Sequence, residues 1–165
     1  MKQKEFEKLI HSDEVAGRVI RFCTTFEDRL DDLIARYFTT NDRIFDFYEL
    51  IISRLSLYEK IQILKNMSFH RKMKSQDNIV ASMDSIRKLR NALAHHSYMP
   101  EREIKKLYSD QNIRKLLSDY PKGLSKEKNA LENRFSRLWH SYYVQFNKSH
   151  INDFNRDAAE NSGNS

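Results

Sequence analysis

From Arg18 to Met99 the chain contains neither glycine nor proline. The whole sequence of 165 residues has three glycines and two prolines, against roughly 12% for the two types together in average usage. Sandwiches, barrels and hairpin-rich folds need such turn residues about every 8–12 positions. Phosphate-cradling loops need glycines in a cluster. Both classes are excluded, and the chain reads as all-α. Its length is that of one domain, taken here as residues 1–154. Residues 155–165, rich in Asn, Asp, Ser and Gly, read as a disordered tail.

Apolar spacing and end signals divide the domain into helices. A first helical region spans Lys4 to Phe38, with a break near Gly17. Val19, Phe22, Phe26, Leu30, Leu33, Ile34 and Tyr37 follow at three- and four-residue steps. Residues 39–42 read as a turn with Asn41 as N-cap. The next segment, 42–54, is apolar on several sides, which predicts a central helix. Ser56-Leu57-Tyr58-Glu59 is a capping box that opens a helix to about Met67, with Leu57, Ile61 and Leu64 inward. A basic loop, 68–76, precedes a helix from Asp77 to Ala94 with Ile79, Met83, Ile86 and Leu93 as its stripe. Pro100 fits the first position of a short helix, and Asp110 caps another that reaches about Tyr120. Pro121-Lys122-Gly123 interrupts the chain before a last helix, 126–148, striped by Leu131, Phe135, Leu138, Tyr142 and Phe146.

Two groups of residues carry chemistry. The segment Arg87 to Pro100 holds Arg90-Asn91-Ala92-Leu93-Ala94-His95, followed by His96 and Tyr98. On an unbroken helix, five positions turn a residue by about 140° net, so Arg90 and His95 act together only if the helix ends near Ala94 or a second copy supplies the partner group. Arg90 shares a face with Ile86 and Leu93, so it is half-buried and needs an anion; Asp28, Asp31 and Asp32 are the acidic candidates. The other group is basic. Lys65, Arg71, Lys72, Lys74, Arg87, Lys88 and Arg90 face only Asp77 and Asp84 over the same stretch, which is +5 of the chain's net +6. Arg71, Lys72, Lys74, Arg87 and Lys88 read as a phosphate-binding patch of the kind that draws in RNA.

Other signals exclude more than they assert. The lone cysteine, Cys23, cannot form an intramolecular disulfide and sits among Val19, Ile20 and Phe26 as a small hydrophobe. It suits a reducing, cytoplasmic compartment. The start of the chain leads into no long apolar run, so neither a signal peptide nor a membrane span is expected. The histidines lack the spacing of a metal site, and no cofactor is expected. Trp139, Tyr142 and Tyr143 could stack bases, but their spacing beside Phe135 and Leu138 favours a core or dimer role.

The segment Arg90-Asn91-x-x-Ala94-His95 resembles the HEPN superfamily, whose hallmark is Arg, a polar residue directly after it, and His after four to six intervening residues. The strings Phe26-Glu27-Asp28-Arg29-Leu30 and Arg54-Leu55-Ser56-Leu57-Tyr58-Glu59-Lys60-Ile61 stand in a similar order to those of HEPN-like bacterial proteins related to the mannitol operon repressor. The resemblance covers residues 20–100. It implies a helical bundle with additional short helices, paired in a homodimer so that two motifs meet in one cleft. It implies a metal-independent endoribonuclease, a toxin or antiphage effector acting on tRNA or mRNA, with an antitoxin as a further partner. Arg90, Asn91, His95 and His96 would then be catalytic. Tyr98 would be a modification site, although it lies three positions after His95 and two after His96. The alternative is a non-catalytic HEPN-like regulatory module that binds a protein partner or a nucleotide.

Overall fold

The computed structural model describes residues 1–69, 74–94 and 99–162; the side chains at 41, 74, 75 and 145–162 also lie outside the description. Among the described residues eight α-helices follow one another: α1 (Gln3–Ile10), α2 (Asp13–Phe38), α3 (Ile44–Leu50), α4 (Leu57–Asn66), α5 (Lys74–Ala94), α6 (Glu101–Ser109), α7 (Gln111–Ser118) and α8 (Lys122–Ser162). Short 3-10 turns, Asn41–Arg43 and Ile52–Arg54, flank α3. No strand occurs among the described residues.

Local chemistry sets most of the boundaries. Ser12 accepts a hydrogen bond from the Val15 amide and opens α2, so the break in the first helical region falls at His11–Ser12 and not at Gly17. Gly17 lies inside α2, where an added Cβ would meet only the end of the Arg21 side chain. The capping box before α4 forms as its spacing predicts: the Glu59 amide donates to Ser56 Oγ, and the Ser56 amide donates to Glu59 Oε2 at 2.7 Å. Asp110 accepts from the Asn112 and Ile113 amides and starts α7. Pro100 is the N-cap of α6 rather than its first residue. Thr40 and Arg43, not Asn41, precede the 3-10 turn and α3. Helix α8 starts four residues before the sequence suggests and continues to Ser162. Through the expected tail, Arg156-Asp157-Ala158-Ala159-Glu160 is helix-compatible, and the Asn, Ser and Gly residues crowd only the last five positions.

Helices α2, α4, α5 and α8 form the central bundle, with α5 touching each of the others. Lys60 of α4 meets Glu27 and Asp31 of α2, and the Ser68 amide and carbonyl both bond the Tyr37 hydroxyl. Helices α2 and α4 therefore run parallel. Helix α5 returns antiparallel: buried Gln76 donates to the Leu64 and Met67 carbonyls at the end of α4, while Arg87 lies over the Tyr58 ring at its start. Phe135 stacks on Phe26, and the Tyr142 hydroxyl donates to the Arg36 carbonyl, which aligns α8 with α2. Trp139 and Tyr142 thus belong to the edge of the core. Helices α1, α6 and α7 close one end, where Phe6 packs edge-on against Tyr108.

The expected stripes are buried: Val19, Phe22, Phe26, Leu30, Leu33 and Ile34 in α2, Leu57, Ile61 and Leu64 in α4, and Ile79, Met83, Ile86 and Leu93 in α5. Helix α3 departs from expectation. It was expected to be central, yet none of its residues is fully buried, and Phe45 is 81% exposed. Its apolar residues point in several directions, and one neighbouring helix can cover only Ile44 and Phe47, which pack against the core.

The one deeply buried charge cluster among the described residues ties α4 to α2. Lys60 Nζ lies 2.8 Å from the Asp31 carboxylate and 3.1 Å from Glu27 Oε1. Burial pushes the Asp31 carboxyl above its ordinary range, against the pull of Lys60. Burial also works against the Lys60 ammonium, but the hydrogen bonds to Asp31 and Glu27 outweigh it and raise its pKa. Removing one partner strands the other in a dry site. Lys60→Met is expected to cost about 3–5 kcal/mol in urea unfolding, and Lys60→Met with Asp31→Leu to recover most of it. At the α7–α8 junction, a Cβ on Gly123 would stand 2.5 Å from the Leu116 carbonyl oxygen. Gly123→Ala is expected to lower stability by about 1–3 kcal/mol in the same assay.

Candidate functional site

The residues singled out in the sequence lie along α5 and just beyond it. Arg90 is half-buried, as its place beside Ile86 and Leu93 predicts. The carboxylates proposed for it are engaged elsewhere or distant: Asp31 holds Lys60, and Asp32 holds Arg36 at 2.7 Å. No carboxylate lies within 4.0 Å of the Arg90 guanidinium among the described residues, and its hydrogen bond goes to its neighbour, from Nη1 to Asn91 Oδ1 at 3.4 Å. The planar donor fork of a guanidinium so placed has the geometry that suits a phosphate oxygen pair.

Arg90 is close enough to Cys23 of α2 for its charge to act on the thiol. Asn91 lines a cleft of about 740 Å³ between the end of α5 and helices α6 and α7. Arg87, Lys88 and Lys106 bring positive charge there and Glu103 and Asp110 negative, with Glu103 3.9 Å from Lys106; Met99, Pro100, Leu107 and Ile113 supply apolar wall. Lys106 and the apolar wall were not apparent in the sequence, because they come from the segment after the motif and reach it only through packing. Charges of both signs and an amide above an apolar surface suit a small ligand with one polar and one apolar side.

The described part of the basic run is spread along α5 and the end of α4. Helix rise places Lys74 about 24 Å from Arg90 along α5, and Lys65 belongs to the end of α4, at the Lys74 end. Arg87 and Lys88 share Asp84, at 2.7 and 2.8 Å. Asp84 is held below the ordinary carboxylate range: burial opposes this, and the hydrogen bonds from Lys88 and Arg87 prevail. The pair therefore brings a net +1 to the cleft rather than +2. Arg71 and Lys72, and the motif residues His95, His96 and Tyr98, lie outside the described residues, as does the Lys74 side chain.

Among the described residues, no group of three or more His, Cys, Asp or Glu side chains is placed to hold a metal ion. None of their helices is long and apolar enough to cross a membrane. Comparison with protein-family models, curated proteins and solved structures finds no match to this chain.

Cys23 is buried at the α2–α5 contact, where burial pushes its thiol up to about 11; Glu27 adds to this and Arg90 opposes it. Two outcomes are expected. The folded protein resists thiol reagents at pH 8 until it unfolds. Because the folded pKa exceeds the unfolded value near 9, the contribution of Cys23 is full below pH 9 and is lost as pH rises towards 11. Urea unfolding of the wild type should therefore lose about 2 kcal/mol over that window relative to Cys23→Ala.

Proposed function

We propose that the chain is a metal-independent endoribonuclease of the HEPN type. The observation that carries this reading is Arg90: a half-buried guanidinium beside a polar amide, without a carboxylate partner among the described residues, within the spacing Arg90-Asn91-x-x-x-His95. In this reading Arg90 holds the scissile phosphate and stabilises the charge that develops on it. His95, with His96 as its neighbour, takes the proton from the 2′-hydroxyl or returns one to the leaving 5′-oxygen, as an imidazole titrating near neutral pH can. The products are a 2′,3′-cyclic phosphate and a 5′-hydroxyl. The cleft beside Asn91 receives a neighbouring nucleotide of a tRNA or mRNA. Two copies supply two motifs, and such a nuclease acts as a toxin or antiphage effector held in check by an antitoxin.

The test is incubation of the purified chain with total tRNA in EDTA. The wild type is expected to cut, leaving cyclic-phosphate ends. Arg90→Ala and His95→Ala should each lower the rate by about 10²–10⁴-fold while keeping the wild-type circular dichroism. Intact tRNA with the wild type, together with growth unaffected by its expression in cells, would overturn the nuclease and leave a non-catalytic regulatory module that binds a protein or nucleotide.

A further inference from the structure

One face of α5 is small and polar where the rest of the buried helix is apolar. Asn78, Ser82 and Ser85 follow at steps of four and three residues, which sets them on one side. They form one wall of a second cleft, of about 520 Å³, between α5, α7 and α8. It shares no lining residue with the cleft beside Asn91. Helix α7 contributes Asn112 and Lys115, and α8 contributes Lys126, Glu127 and Arg134. Ser85 sets this cleft apart. It is 5% exposed and lines the cleft. A hydroxyl inside a helix commonly donates to the carbonyl four residues back, as those of Thr24, Thr25 and Ser136 do. The Ser85 hydroxyl makes no hydrogen bond among the described residues. A buried hydroxyl without a partner costs free energy, and the cleft is the side from which a partner can come.

We propose that this cleft binds a small polyhydroxylated ligand carrying one phosphate, the chemistry of a sugar phosphate. Its charges point that way. Ser82 donates to Glu127 Oε1 at 2.9 Å, and Arg134 donates to Ser82 Oγ and to the same carboxylate oxygen at 3.0 and 3.2 Å. Asp119 lies 3.7 Å from Lys126. Both acids of the lining are therefore offset, and of its three cations Lys115 is left without a carboxylate among the described residues. An ammonium so placed suits a phosphate as a point charge. The neutral groups suit hydroxyls: Ser85 and the side-chain amides of Asn78 and Asn112 both donate and accept, and the two carboxylates accept. Ile86, Leu116 and Ala130 give the carbon skeleton an apolar floor. No aromatic ring stands among the lining residues, so a nucleobase has nothing to stack on, and a sugar phosphate is favoured over a nucleotide. The volume lies within the usual range of small-molecule sites. The inference stands on this cleft and does not require that RNA be cut.

Isothermal titration calorimetry of the full chain tests it, with ribose 5-phosphate and glucose 6-phosphate as probes beside ribose, inorganic phosphate and AMP. At least one sugar phosphate should bind at millimolar concentration or below, with ribose and inorganic phosphate each about tenfold weaker. Ser85→Ala should weaken that binding about three- to tenfold without lowering the thermal midpoint of the free protein, because the hydroxyl it removes has no partner there. Lys115→Gln, at an exposed position, should weaken it about tenfold. Three results would each overturn the proposal. In the first, neither sugar phosphate binds. In the second, inorganic phosphate or AMP binds as tightly as the sugar phosphates or tighter, which leaves a simple anion contact or a nucleotide site. In the third, a sugar phosphate binds but Ser85→Ala and Lys115→Gln leave its affinity unchanged, which places it elsewhere on the chain.

Discussion

A buried ammonium must find its counter-charge, and the arrangement of this protein rests on how Lys60 does so. Taking Lys60 out of water is tolerable only because Asp31 and Glu27 meet it on one stretch of α2. That requirement fixes α4 alongside α2 and sets its height. Two further contacts follow from the position of α4. Its start places Tyr58 under Arg87, and its end offers the Leu64 and Met67 carbonyls to Gln76. Helix α5 is thereby held at both ends, which sets where Arg90 emerges.

Among the described residues, the same pairing leaves Arg90 without a carboxylate partner. Asp31 is consumed by Lys60 and Asp32 by Arg36, so the acids closest in the sequence reading are not at its disposal. Arg90 instead donates to the side-chain oxygen of Asn91, and its charge acts on the Cys23 thiol. That is the physical basis on which the end of α5 is proposed to handle phosphate.

Helix α3 shows the limit of apolar counting. Ile44, Phe45, Phe47, Leu50 and Ile51 are hydrophobic enough for a core helix, and the sequence places them in the middle of the domain. They sit at the periphery because α2, α4, α5 and α8 already close around one another, leaving α3 a single neighbour to lean on. The basic run behaves similarly. It is continuous as sequence, but folding sends Lys65 and Lys74 to one end of α5 and Arg87, Lys88 and Arg90 to the other, and Asp84 offsets part of the charge that remains.

What the sequence determined by itself is local. The near absence of glycine and proline, the Ser56–Glu59 capping box, the Asp110 cap and the stripes of α2, α4 and α5 are legible because each depends on residues within one or two turns. The half-burial of Arg90 was legible for the same reason, from Ile86 and Leu93 beside it. The tertiary structure decided which charges meet, because Lys60 and Asp31 are 29 residues apart and no local spacing selects that pair over Arg90 with Asp31. It also decided that the segment after the motif returns as the wall of a cleft, and that α3 faces outward. Those outcomes depend on the order in which whole helix faces are covered, a property of the assembled bundle that no single segment contains.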